Sequence, residues 1–243
     1  MADRICRMMD KTLLNRLRAL QQGLMTRDRF AKNAVCDELL QILKEQDDEH
    51  VKNEIRRIIV LPLVDLNRTQ DLLDCIDAMM AQQDYELNIV ALMGKEHYLR
   101  RQDRMDEVLA LHSQMLELTV QYGRNEMQAE GYLLRGKVYL ELNKVDKALE
   151  DFNCSILLAT EWNQYNLVAV AKYYIGLCLM SKGHEELGME KLREASETAH
   201  EQHCSDVAMH TEAYRAMKML EKGRADVALE ILRGWTDEFK LML

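Results

Sequence analysis

Three side chains with metal-ligand chemistry fall together late in the chain: His200, His203 and Cys204, with His210 close behind. At i, i+3 and i+4 the first three would share one face of a helix. Two imidazoles and a thiolate there would hold Zn²⁺ and leave a fourth position for water. No H-E-x-x-H pattern accompanies them, and no acidic partner to orient them stands out. An exposed His-rich linker is the preferred reading. The expectation is therefore no metal, with His200, His203 and Cys204 as the candidate ligands if one binds.

Other signatures of catalysis are missing. The chain has no G-x-x-x-x-G-K-[ST], no G-x-G-x-x-G and no G-x-S-x-G, so no cofactor is expected and no catalytic residue is assigned. The compact acids Asp47-Asp48-Glu49 precede an apolar periodicity, where they serve as a helix cap and complement the helix dipole. Trp162 and Trp235 suit packing between helices better than base stacking. Arg4, Arg7, Lys11, Arg16 and Arg18 form a basic helix face diluted by Asp3 and Asp10, which reads as a solvated surface.

The elements that carry these residues are helical nearly throughout. Of 243 residues, 48% are hydrophobic and 30% charged, with 1 proline and 10 glycines. So few breakers among so many Leu, Ala, Glu, Lys, Arg and Met leave no room for a β class. The net charge is −9. The first sixty residues are slightly basic and the remainder is strongly acidic, which argues against nucleic-acid binding by the later part. Six cysteines without a C-x-x-C pair read as reduced core thiols, and cytoplasmic localisation is expected. No run is long and apolar enough for a membrane span, and the N-terminus lacks a signal-peptide core.

Apolar spacing gives helices over residues 2–24 (Ile5, Met8, Met9, Leu13, Leu17, Leu24) and 28–45, the second with Phe30, Val35, Leu39, Leu40 and Leu43 inward. These form an N-terminal hairpin or cap over 1–46. A helix over 50–66 contains Pro62, so a kink or break is expected near 58–61. Its partner runs over 70–82, and a further pair spans 86–100 and 105–121.

The stretch AEGYLLRGKVYLELNKVDKALEDFNCSILLAT, residues 129–160, reads as two amphipathic helices joined at Asn143-Lys144. Gly136, Tyr139, Ala148, Phe152 and Ser155 occupy the places where helices meet. Small residues recur at a fixed period of 40: Gly136, Gly176 and Ala216; Ala148, Gly188 and Ala228. Phe152, Leu192 and Leu232 follow in register, as do the turn residues Asn143, Gly183 and Gly223. This resembles the tetratricopeptide repeat (TPR), a helix-turn-helix unit that stacks into a solenoid. Arg135 stands where a large apolar residue is common, and the family's proline after the second helix is missing. The longer period resembles the spacing in kinesin light chains and in bacterial regulators with TPR-like sensor regions. The added length is expected in residues 160–165 and 200–205, as an extended second helix or a longer turn.

The resemblance implies an all-α, right-handed α-solenoid of about twelve helices. A repeat array covers 47–243: degenerate over 47–83, weak over 85–123, and clear over 125–160, 166–200 and 206–243. It further implies a concave face lined by the first helix of each unit. The register places Met93, His97, Arg100 and Arg101 there, then Leu133, Lys137, Leu140 and Glu141, then Val170, Tyr173, Leu177 and Met180, then His210, Ala213, Met217 and Leu220. Any one of these apolar residues fits a core as well; the set fits a groove. The function expected is non-enzymatic: a protein-protein interaction module that binds a peptide or helix of a partner. The alternatives are a sensor or regulator responding to a peptide or small ligand, and metal-dependent activity at the His/Cys linker. The apolar end (Trp235, Phe239, Leu241, Met242, Leu243) adds self-association through the last repeat.

Overall fold

The computed structural model describes the backbone of residues 11–242 and the side chains of residues 11–233. The predicted contributions of Arg4, Ile5, Arg7, Met8 and Met9, and of Trp235, Phe239, Leu241, Met242 and Leu243, lie outside the described side chains. Twelve α-helices occur among the described residues, and no strand. They are α1 (Lys11–Gly23), α2 (Arg29–Glu45), α3 (Glu49–Asp65), α4 (Thr69–Met80), α5 (Tyr85–Arg100), α6 (Met105–Gln121), α7 (Gln128–Glu141), α8 (Val145–Glu161), α9 (Tyr165–Ser181), α10 (Glu185–Glu201), α11 (Ser205–Glu221) and α12 (Ala225–Met242). A single 3₁₀ turn, Asn125–Met127, precedes α7. The chain divides into two compact units, Met1–Leu111 and His112–Leu243.

In the first unit α1 to α5 share one core, from Leu17 through Leu39, Ile55, Ile59, Leu63, Leu72 and Met79 to Ala91. The N-terminal hairpin is thus continuous with the helices after it. Asp28 caps α2, its carboxylate accepting from the Phe30 and Ala31 amides. Asp48 caps α3 through the His50 amide, as its sequence position suggests. Arg68 ties α2 to the α3–α4 turn, with Nε donating to Asp71 at 2.8 Å and Nη1 to Asp37.

One expectation fails here, and so does one of the two outcomes expected at Pro62. Phe30 is 90% exposed rather than inward. It lies nine residues before the buried Leu39, half a turn out of phase at about 100° per residue. No break follows from Pro62, because α3 runs unbroken from Glu49 to Asp65. Proline deletes one hydrogen bond in the last turn, and the buried Ile59, Val60, Leu63 and Val64 hold the helix on both sides of it.

The turns show the repeat directly. Asp103, Gly123, Asn143, Asn163, Gly183, His203 and Gly223 all have positive φ, between 55° and 81°, and they recur every 20 residues. At each, the amide one residue on reaches back to a carbonyl five residues earlier: Lys144 to Tyr139, Gln164 to Ala159, His184 to Leu179, Cys204 to Ala199, Arg224 to Met219. This is the Schellman stop, which satisfies the last carbonyls of a helix and favours residues that tolerate the left-handed region. Turns within and between repeats are therefore alike. The added length lies in the helices: α8, α9, α10 and α11 each run 17 residues. The earlier hairpin falls out of register because α4 has only 12.

The small residues do what their spacing suggests. A Cβ on Gly136 would meet the Phe152 ring at 2.7 Å, so that fully buried ring lies on the glycine. One period on, the backbones themselves meet. A Cβ on Gly176 would sit 3.0 Å from the Gly188 carbonyl oxygen, and one on Gly188 2.9 Å from that of Gly176. Ser155, another small motif residue, is buried and donates to the Ala129 carbonyl at 2.8 Å.

Among the described cysteines, Cys36, Cys75 and Cys178 are buried and free. Burial pushes their thiols up to about 11, 12 and 11. They keep their protons where an unfolded chain would lose them, so stability begins to fall as pH rises above the ordinary thiol value of 9.0. At about pH 8 a disulfide reagent is expected to label the half-buried Cys154 and Cys204 well before these three, which should react only on unfolding. Equal labelling rates in the native protein, read by mass spectrometry of peptides, would contradict the burial pattern.

Candidate functional site

In the second unit the first helices α7, α9 and α11 are neighbours. The register positions on them divide sharply by burial. Leu133 is 5% exposed and belongs to the core with Phe152 and Ile175. Lys137, Leu140, Val170, Tyr173, Leu177 and Met180 are half-buried. Glu141, His210, Ala213, Met217 and Leu220 are exposed, Met217 at 44% and Leu220 at 54%. The accessible apolar surface is thus concentrated on α11, one repeat beyond α9.

An aromatic chain runs beneath it. Phe152 stacks on Tyr174 with centroids 5.3 Å apart, Tyr174 meets Tyr173 edge-on at 5.3 Å, and Tyr173 meets Tyr214 edge-on at 6.3 Å. Burial, together with the neighbouring Tyr174 and Tyr214, raises the Tyr173 phenol above its usual range. Lys137 Nζ lies 5.5 Å from the Tyr174 centroid and Lys218 Nζ 5.6 Å from that of Tyr214. These ammonium groups lie over aromatic rings, and Lys218 also donates to Glu221 at 2.8 Å. The sequence reading named Tyr173 and missed Tyr174, Tyr214 and Lys218. A column of Leu134, Tyr174 and Tyr214, spaced by the same 40 residues, was the available signal.

The register positions in the first unit are differently engaged. Met93 is 43% exposed and His97 is exposed. Arg100 pairs with Glu96 at 2.8 Å, and Arg101 Nη1 donates to the Val64 carbonyl at 2.9 Å. The basic edge is held by its own protein partners.

The His/Cys linker does not form the geometry that metal binding requires. α10 ends at Glu201, His203 turns the chain at φ 55°, and Cys204 caps the next helix. The premise of one helical face for His200, His203 and Cys204 is therefore overturned. Among the described residues no three His, Cys, Asp or Glu side chains converge as a metal site.

Arg135, the departure from the repeat pattern, has a structural role. Its Nε and Nη2 each donate to Asp151 at 2.7 Å, a bidentate pair across the α7–α8 hairpin. Its guanidinium lies 5.3 Å from the Tyr132 centroid and 5.8 Å from that of Tyr139. The Asp151 hydrogen bonds and charge raise the Arg135 pKa against the opposing effect of burial.

Known structures share this arrangement of helices. The apo form of RapI superposes with a TM-score of 0.68 at 10% identity, over 92% of this chain and 81% of that one. The STAND signal-transduction ATPase with a tetratricopeptide repeat sensor from Pyrococcus horikoshii gives 0.65 at 16%, over 88% and 36%. Aspartyl phosphate phosphatase F from Bacillus subtilis gives 0.61 at 16%, over 84% and 55%. The fold is a TPR-like helical solenoid. The chain spans 55% of the phosphatase and 36% of the ATPase, so this TPR-like likeness concerns the fold alone. No family model and no curated protein matches the sequence. Among the described residues of this TPR-like chain, no helix is long and apolar enough to cross a membrane.

Proposed function

We propose that the second unit is a protein-interaction module acting by binding rather than catalysis. Its docking surface is the face shared by α7, α9 and α11, which TPR arrays present as concave. The observation that carries this reading is the exposure of Met217 and Leu220 beside the half-buried Leu177 and Met180. Apolar side chains held at the surface over a rigid aromatic floor suit an amphipathic helix or an extended apolar segment of a protein partner. Methionine adapts to varied shapes, and tyrosine supplies a stiff, amphipathic contact. The acidic residues Glu141 and Glu221 close the C-terminal ends of α7 and α11, and both are exposed; Glu221 accepts from Lys218 at 2.8 Å.

Tyr173 is a poor test residue, because it also packs between Tyr174 and Tyr214. Met217 and Leu220 carry no such load. Peptides selected against the whole chain from a random library should lose at least tenfold in affinity, about 1.4 kcal/mol, when Met217→Asp and Leu220→Asp are introduced together. Helicity should be unchanged. Retained affinity in a folded double variant would remove the docking surface from this face.

A further inference from the structure

Arg135 and Arg215 occupy the same place in the repeat register, two periods apart, on α7 and α11. Their surroundings differ at one position. Arg135 presents its Nε–Nη2 edge to Asp151 on the following helix, with both contacts at 2.7 Å. The counterpart of Asp151 two periods on is Ile231. Arg215 instead pairs with Glu212 on its own helix, and only Nη1 makes that contact, at 2.7 and 2.9 Å. Its Nε is buried and has no hydrogen-bond acceptor among the described residues. The edge that Asp151 fills on one guanidinium is therefore unfilled on the other. A buried donor left unsatisfied is unfavourable, and a planar guanidinium edge matches a carboxylate in two parallel hydrogen bonds.

Arg215 lines a cavity of about 490 Å³ formed by α10, α11 and α12. That volume falls within the roughly 300–1,000 Å³ of small-ligand clefts. Met189, Met219, Val227 and Ile231 provide an apolar wall. Arg193, which also lines the cavity, is the counterpart of Ser113, whose hydroxyl lies 3.5 Å from Arg135 Nη1. A second guanidinium thus replaces a hydroxyl, but it is taken up by Glu190 and Glu197, at 2.9 and 2.6 Å, so the open edge is that of Arg215. The wall also holds Glu197, Glu212 and Glu230. Glu212 already accepts from Ser196 as well as from Arg215. Three carboxylates against two guanidiniums leave the wall net negative, so a ligand carrying two negative charges is disfavoured more strongly than one carrying a single charge at Arg215. One period earlier the corresponding positions are Leu149, Ile156, Ile175 and Leu179, which pack into a continuous core.

The geometry points to a binding site for a small monocarboxylate with a branched apolar body. Its carboxylate takes the place at Arg215 that Asp151 takes at Arg135, and its body lies on Met189, Met219, Val227 and Ile231. Glu212, Arg215 and Met219 face away from His210, Ala213, Met217 and Leu220 on α11, at about 100° per residue. The site is therefore separate from the proposed docking face and stands or falls independently of it.

The probes are 4-methylpentanoate, its neutral amide and the dianion glutarate, each titrated into the whole chain by calorimetry. Saturable binding of 4-methylpentanoate is expected with a Kd on the order of 1 mM, and both other probes should bind at least tenfold more weakly. Ile231→Asp supplies the missing carboxylate from the protein itself. It should keep the native helicity and weaken 4-methylpentanoate at least tenfold, as should Arg215→Gln. No saturable binding, equal binding of the amide, or unchanged affinity in folded Ile231→Asp would each overturn the assignment. Should both variants lose helicity, the comparison of acid with amide on the unaltered chain decides alone.

Discussion

Gly188→Ala is expected to destabilise the second unit by about 2–3 kcal/mol, the cost of forcing extra volume into a packed interface. The added Cβ would fall 2.3 Å from Met180 Cγ, 2.9 Å from the Gly176 carbonyl oxygen and 3.2 Å from the Met180 amide nitrogen. Methionine can move aside, but the two backbone atoms cannot without separating α9 from α10. The control is Gly183→Ala in the turn between the same helices. There a Cβ meets nothing within 4 Å, yet φ is +81°, so only backbone strain of about 1 kcal/mol is expected. Denaturant unfolding should rank Gly188→Ala well below Gly183→Ala. The reverse order would mean that α9 and α10 do not approach backbone to backbone.

This pair also shows how much of the fold was legible in the sequence. Columns such as Gly136, Gly176 and Ala216 could be read because a helix crossing leaves no alternative to a small side chain. Helix identity survived for the same reason, since 3.6-residue periodicity needs no knowledge of the neighbours. The 20-residue recurrence of left-handed turns was less legible. Asp103, Asn163 and His203 fill places that glycine fills elsewhere, so no single residue type marks the column. Phe30 misleads because its apolar side chain suits an inward face while its phase, half a turn from Leu39, turns it outward.

Asp151→Ala is expected to cost about 3 kcal/mol, because removing one partner of a buried ion pair strands the other. Asp151 is 5% exposed, and the Arg135 side chain retains only 21% exposure. The loss should be largely recovered in Arg135→Met/Asp151→Leu, where two apolar side chains occupy the same space without desolvated charge. Thermal unfolding of the two variants separates this pairing from a simple packing defect. Equal loss in both would contradict the stranded-charge account, because the double variant leaves no buried charge unpaired. The sequence flagged Arg135 only as an exception to the repeat pattern. Asp151 drew no attention, because an acid in an amphipathic helix is ordinarily solvated, and only the tertiary contact between α7 and α8 reveals the pair.

The candidate surface was partly legible. The register put Met217 and Leu220 on the shared face, and both are exposed there. It put Leu133 there as well, but that side chain turns into the core under α9. Helical phase locates a residue to within about one third of a turn, which is too coarse to separate a groove floor from the core beneath it. The cavity beside Arg215 was illegible for another reason. It arises where Ile231 replaces an acid, and an isoleucine on a helix face carries no sign of the partner it fails to provide.

The most direct test of the docking surface is a binding comparison on one selected peptide, using the intact chain and two folded variants. Met217→Asp/Leu220→Asp alters the face shared by the first helices. Leu157→Asp alters a leucine that is 72% exposed on the second helix α8. The expected result is at least a tenfold loss in the first and unchanged affinity in the second, with equal far-UV helicity throughout. Loss in Leu157→Asp with full retention in Met217→Asp/Leu220→Asp would contradict the assignment and move the binding surface to the second helices.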